Sequence, residues 1–315
     1  MADVFAVLGR SKLQTPSSNL QRNFKLQAPM WIEWLPLLLL PLIAFLSREH
    51  LPAWLFMWAM VFALYLGCKW LTWLRAWRGK PGARPLRSLS YFLLWPGMDA
   101  ESFLSPAGGK QHSSAAWIRA GWRTLAGAAL LWLAGRESLK TESLWVGSLG
   151  MIGVILLLHF GVFDLLAAAW RAAGIEVKSV MRAPLRATSL GDFWGRRWNT
   201  AFNTLAHHLA FRPLARRWGR AAAMMATFAI SGVIHELVIS VPARGGYGLP
   251  TVYFLFQGLA VLVERSNAGR RIGLGRGLQG WLFTAVCTAG PAFWLFHPPF
   301  VRNVLLPMLR TFGCN

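Results

Sequence analysis

Apolar runs, nearly free of charge, follow one another so closely along this chain that no soluble core can be cut out between them. They lie near 30–47, 52–74, 120–135, 143–170, 221–241, 249–264 and 279–296, with a candidate eighth at 300–312. A stretch of ~20 such residues crosses a bilayer as a helix, because a helix satisfies its own backbone polar groups where no water is present. Composition points the same way. Of 315 residues, 55% are apolar and 14% charged, against about 25% charged in a soluble domain. The expected fold is all-α: a polytopic integral membrane protein forming one embedded domain over residues 1–315, with about 7–9 transmembrane helices. Residues 1–29 are polar and no small-residue cleavage site follows Leu46 before the next apolar run. The first helix is therefore expected to be retained rather than removed as a signal peptide.

The chain carries 33 Lys and Arg against 12 Asp and Glu, a formal charge of +21. Such an excess suits nucleic acid, anionic lipid or an anionic substrate, and the apolar content argues against the first. Placed on the loops, the charge becomes a topology. With a cytoplasmic N-terminus, Arg75, Arg78, Lys80, Arg84 and Arg87, then the bases from Arg171 to Arg220, then Arg265, Arg270, Arg271 and Arg276 all fall inside. The outer loops keep Arg48, Arg244, and Arg136 with Lys140 offset by Glu137 and Glu142. This is the positive-inside pattern, and it sets the basic face against anionic head groups at about 1 kcal/mol per residue. Cys68, Cys287 and Cys314 are far apart and show no metal spacing, so neither a disulfide framework nor a metal site is expected.

Two regions fit neither a span nor a plain loop. Residues 88–98, SLSYFLLWPGM, are too short to cross, and Pro96-Gly97 breaks the run; a re-entrant or interfacial piece is expected. Residues 176–218 interleave Trp194, Trp198 and Trp218 with many Arg, the pattern of helices lying in the interface plane.

An ionisable side chain at mid-membrane costs about 2.5–3.5 kcal/mol on insertion scales, which makes it a functional candidate. In the run 221–241 the ionisable residues are His235 and Glu236, and at the helical rise His235 sits ~20 Å from the start of the run. Ser231 and Thr227 share its face, and Gly232 is expected to leave room for a substrate. His-Glu does not continue into a zinc-protease motif, since position 239 is Ile. A neutral imidazole accepts a proton, so general-base chemistry suits this site. The second dense cluster is SLGDFWGRRWN, Ser189 to Asn199. After it, Asn199, Asn203 and His207 recur every four residues as a polar stripe, and Arg196 with Arg197 suits a phosphate group.

Together, SLGDFWGRRWN and SGVIHE resemble the paired signature of the membrane-bound O-acyltransferase superfamily, and within it the wax-synthase-like branch. The signature segment covers 189–240, with 36 positions from Asn199 to His235. WPGMD, Trp95 to Asp99, is similar to a further element of that branch. The resemblance implies a polytopic bundle in which an acyl group passes from acyl-CoA to a hydroxyl, with His235 and Asn199 catalytic. Trp194, Arg196, Arg197, Trp198, Asn203, Ser231 and Glu236 are expected to bind substrate. The base lies deep enough that a central tunnel must connect it to both faces. Acyl-CoA is then a co-substrate with no separate cofactor, the acceptor is an alcohol or lipid, and wax ester synthesis from a long-chain alcohol is the favoured outcome. Sterol, terpenoid and glycan hydroxyls are the other acceptors considered. The rival reading is a transporter or lipid-binding protein using His235 and Glu236, with His159 and Asp164, as a proton or substrate path; the sequence shows no inverted repeat of the kind many transporters carry. His159 to Asp164 matches HxxxxD inside an apolar run, and Gly275 to Gly280 matches GxGxxG without a preceding strand. These are read as a polar pair within the bundle and a flexible basic loop.

Overall fold

A computed structural model describes residues 30–79, 85–106 and 108–313, and every regular element among them is helical. Cys314, Lys80, Arg84 and the polar stretch 1–29 lie outside these residues. Three antiparallel helix pairs make the frame. The first joins α1 (Met30–Leu46) to α2 (Ala53–Gly79). Gly67 lets the two backbones meet, since a Cβ there would stand 2.5 Å from Leu37 Cα, and at the other end Glu33 binds Arg75 at 3.0 Å and Arg78.

Two short helices follow, α3 (Pro85–Leu94) and α4 (Ala100–Leu104). The helical region is disfavoured for a residue before proline, and α3 stops just before Trp95-Pro96. The SLSYFLLWPGM stretch is therefore a short helix that stops at Leu94, followed by a non-helical Trp95–Met98.

The second pair is α5 (Ser114–Ser138) and α6 (Leu144–Ala172), begun by the capping hydroxyls of Ser113 and Ser143. Glycines at 127, 153 and 161 face Leu157, Leu131 and Thr124 of the partner helix, and Arg123 reaches Asp164 at 3.1 Å. A short helix α7 (190–197) leads to the stretch Thr200–Ala243. Gly219, at φ 78° and ψ 167°, divides that stretch into α8 (200–218) and α9 (220–243). The third pair sets α9 against α10 (Leu249–Arg265). Then come α11 (Asn267–Arg271), α12 (Gly277–Ala289) and α13 (298–313).

By length and composition three helices can cross a membrane: Ala53–Arg78, Leu144–Ala172 and the stretch Thr200–Ala243. α13, the candidate eighth run, takes another course. Asn303 donates to Ala243 O at 2.9 Å, Trp58 Nε1 donates to Met308 Sδ at 3.4 Å, and Arg310 Nε donates to Ser138 O at 3.1 Å. Gly147 and Gly150 meet Val301 and Leu309. All of these partners lie within about two turns of one end of α2, α5, α6 and α9, so α13 lies across that end and its buried face, Val304, Leu305, Met308 and Leu309, seals it.

The loops at that end are 47–52, 139–143 and 244–248, and the acids on them and on the last turn of α5 are engaged: Glu49 by Arg48 and Arg244, Glu137 by Lys140, Glu142 by Arg310. The opposite end carries the segments 85–113, 173–218 and 266–276, with most of the surplus Arg. The charge asymmetry read from the loops is thus an asymmetry between two ends of one bundle.

Candidate active site

His235 closes the α-helical part of α9, and a π-helical turn, Glu236–Ser240, follows at once; such turns recur at functional positions in helices. The polar residues below it are spent on their own helix. Thr227 Oγ1 donates to Ala223 O at 2.7 Å and Ser231 Oγ donates to Thr227 O at 3.1 Å. His235 Nδ1 lies 2.7 Å from Ser231 O. A carbonyl can only accept, so Nδ1 carries the proton and the neutral ring keeps its lone pair on Nε2. The ring also packs on Phe254 with centroids 4.3 Å apart.

Two expectations around His235 change. Gly232 does not open space for a substrate: a Cβ there would meet Thr251 Cα at 2.7 Å, so the glycine serves the contact between α9 and α10. Glu236 turns to α10, where its Oε1 accepts from Gly248 N at 3.0 Å, Thr251 N at 3.1 Å and Thr251 Oγ1 at 2.9 Å. A carboxylate at a helix N-terminus meets unpaired N–H groups and the positive end of the helix dipole. Its other oxygen, Oε2, is buried with no hydrogen-bond partner among the described residues.

The signature segment reaches His235 through one aromatic ring. Glu264, buried on α10, accepts from the N–H groups of Leu190 and Gly191 and so caps the start of α7. Two turns earlier on α10, Gln257 accepts from Trp194 Nε1 at 3.1 Å, and Trp194 packs on Phe254 at 5.7 Å. Four helical residues of α7 advance only about 6 Å, so the long Glu264 and Trp194 side chains span the rest of the two turns of α10 between the two contacts. Trp194 thus packs inward on Phe228 of α9 and Phe254 of α10, whereas α8 carries His207, His208, Arg216, Arg217 and Trp218 exposed.

Asn199 sits at the turn from α7 into α8 with φ 43°, a conformation that Asn tolerates better than most residues. Its Oδ1 accepts from Phe202 N at 3.5 Å, and its backbone N–H points at Met181 Sδ, 3.2 Å away. The side-chain amide Nδ2 takes no part in these bonds. Asn203 donates to Trp194 O and braces the same turn. Arg196 and Arg197 both bind Asp192, and Arg197 also donates to the carbonyls of Arg182 and Ala183 at 3.3 Å. Trp198 stacks on Phe193 and on His159. His159 and Asp164 thus serve different neighbours, Trp198 and Arg123.

Among the described residues, sequence reasoning missed the buried Glu33, Glu264 and Lys69. Lys69, fully buried on α2, donates to Gly97 O at 2.6 Å and lies 3.4 Å from the centre of the Tyr91 ring. Beside it Tyr65 OH donates to Trp95 O at 2.7 Å, so the WPG turn is held by two side chains of α2. The rule that singled out His235 also applies to Lys69, a lone base within an apolar run. Two surface cavities, of about 600 and 460 Å³, lie at the loop end and at the basic end, and neither is lined by His235 or Asn199. No group of three or more His, Cys, Asp or Glu with metal-site geometry is found among the described residues.

Residues 177–256 match the model of the membrane bound O-acyl transferase family. A long-chain-alcohol O-fatty-acyltransferase of Simmondsia chinensis is 31% identical over 174 residues, 49% of this chain and 48% of that protein. An acyl-CoA–sterol O-acyltransferase of Arabidopsis thaliana is 30% identical over 154 residues, 43% of each chain. The matched stretch spans less than half the length of these relatives.

Proposed function

We propose that this chain, whose residues 177–256 carry the membrane bound O-acyl transferase segment, transfers an acyl group from acyl-CoA to the hydroxyl of an alcohol within the membrane. The observation that carries the mechanism is the Nδ1 bond of His235 to Ser231 O, which leaves Nε2 as the basic nitrogen. Nε2 takes the hydroxyl proton as the alcohol oxygen bonds to the thioester carbon. The tetrahedral intermediate collapses by breaking the carbon–sulfur bond, and the leaving CoA sulfur takes the proton from the imidazolium. A positioned base contributes about 10²- to 10⁴-fold. Asn199 Nδ2 faces the developing oxyanion in this scheme, a role worth about 10²- to 10³-fold where one such donor has been removed.

The acceptor proposed first is a long-chain alcohol, giving a wax ester, with a sterol next; the names of the relatives support both. The seven helices α1, α2, α5, α6, α9, α10 and α12 are proposed to cross the bilayer, with the N-terminus and the basic end cytoplasmic. A tunnel is proposed to bring acceptor and acyl chain to His235 from the membrane. The test is release of free CoA by purified protein against a panel of acyl-CoA lengths and alcohol classes. Release should require an alcohol and fall by at least about 10²-fold in His235→Ala; full activity in that variant refutes the mechanism.

A further inference from the structure

The cavity of about 460 Å³ at the basic end is lined by Lys110, Gln111, His112, Ser113, Trp117 and Arg171, with Ala116 and Ala168 as its small apolar walls. Its size falls within the range of small-molecule sites. Its lining contains bases and neutral donors and no carboxylate; behind it Asp164 binds Arg123 and also faces Arg171, and Glu176 lies beside Gly108. The N-terminus of α5, 25 residues long and capped by Ser113, opens on it, and such a terminus attracts anions. A further observation calls for an acceptor. The indole Nε1 of Trp117 is buried and meets no partner among the described residues, although a buried N–H normally finds one. The site is also built rather than loose: Gln111 N donates to Arg171 O at 3.1 Å, Gly108 N to Gly174 O at 2.8 Å, and Arg171 Nη1 to Val177 O at 3.2 Å.

We infer that this cavity binds the phosphorylated nucleotide end of the acyl-CoA donor, an inference that rests on the acyl-transfer reading above. The charge pattern agrees, because Arg196 and Arg197, the sequence's candidates for the phosphates, share Asp192, whereas Lys110 and Arg171 line a cavity whose wall contains no carboxylate. The geometry agrees as well. Ala168 lies nine residues beyond His159 on α6, about 14 Å along the helix, and His159 stacks on Trp198 next to Asn199. An extended pantetheine arm running along α6 joins the cavity to the signature segment. Lipid phosphate shares the chemistry; the soluble nucleotide is favoured because Lys110, Gln111, His112 and Ser113 are all exposed polar residues.

The experiment measures equilibrium binding of CoA to the full-length protein in phosphatidylcholine nanodiscs, with Lys110→Glu, Trp117→Phe and, as a remote basic control, Arg216→Glu. Lys110→Glu should weaken binding roughly tenfold or more and Trp117→Phe a few-fold, while Arg216→Glu stays within about twofold. Michaelis constants then separate the two ends of the donor: Lys110→Glu should raise KM for acyl-CoA and leave that for acyl-pantetheine unchanged. Equal loss in all three variants, or in none, overturns the inference, as does displacement of CoA by phosphatidylglycerol that Lys110→Glu abolishes. CoA binding at this cavity without acyl transfer leaves the inference standing and removes the acyl-transfer reading. Turnover of acyl-pantetheine without nucleotide binding does the reverse.

Discussion

At Asn199 one side chain carries a structural and a proposed chemical duty, and substitutions can separate them. The oxygen caps α8 and the backbone stands at φ 43°, so Ala loses the cap and strains the turn, at a cost of about 1–3 kcal/mol. Asp keeps the accepting oxygen and tolerates the conformation but has no amide N–H. Asn199→Asp is therefore expected to melt within a few degrees of the parent in detergent and to lose about 10²- to 10³-fold in kcat, while Asn199→Ala loses stability as well. Equal kcat in Asn199→Asp and the parent would remove Asn199 from the oxyanion role. The same double duty explains what the sequence hid at this scale. His235 was legible because an ionisable residue in an apolar run is costly; that Glu236 caps a different helix, and that Ser231 and Thr227 back-bond to their own, depends on rotamers and neighbours no spacing encodes.

Helix pairing in this bundle is set by glycine. The contact between α9 and α10 brings Gly232 against the Thr251 backbone, and Thr251 is also one of the donors to Glu236. A methyl at 232 pushes α10 outward and with it Phe254, the ring between Trp194 and His235. Gly232→Ala should cost about 1–3 kcal/mol and lower activity, whereas Gly121→Ala on α5, where a Cβ meets nothing within 4 Å, should be neutral or stabilising by up to about 1 kcal/mol. Thermal melts of the two variants side by side check the pair; equal shifts would show that helix propensity rather than packing governs position 232. Helix existence was legible here for most of the apolar runs, although 279–296 breaks at Gly290-Pro291 into a helix ending at Ala289 and a separate turn Ala292–Leu295. The path of α7 was not. Trp and Arg interleaved over 176–218 read as one interfacial pattern, yet Glu264 and Gln257 hold α7 against α10 through bonds to residues 63 to 74 positions away in sequence.

For the whole molecule, the sequence showed a charge asymmetry and the bundle assigns it to two ends, but α13 shows why counting apolar runs overstates crossings. Its residues are apolar because they seal the ends of four other helices, and hydropathy does not distinguish such burial from lipid. The consequence is topological. In a background with Cys68, Cys287 and Cys314 replaced by Ala, single cysteines at Thr141, Pro298 and Thr311, all exposed, should react with a membrane-impermeant maleimide from one side of sealed vesicles. Cysteines at Arg186 and Arg271, exposed at the basic end, should react from the other. A crossing α13 would instead split Pro298 from Thr311. With the two labelled together α13 does not cross, and on the seven crossings proposed above the positive-inside rule places the labelled loop end away from the cytoplasm. The cavity proposed for the nucleotide, beside Lys110 and Arg171, then opens to the compartment that supplies soluble acyl-CoA. A reversed labelling pattern would leave the bundle intact but put that cavity on the wrong side of the membrane for its donor.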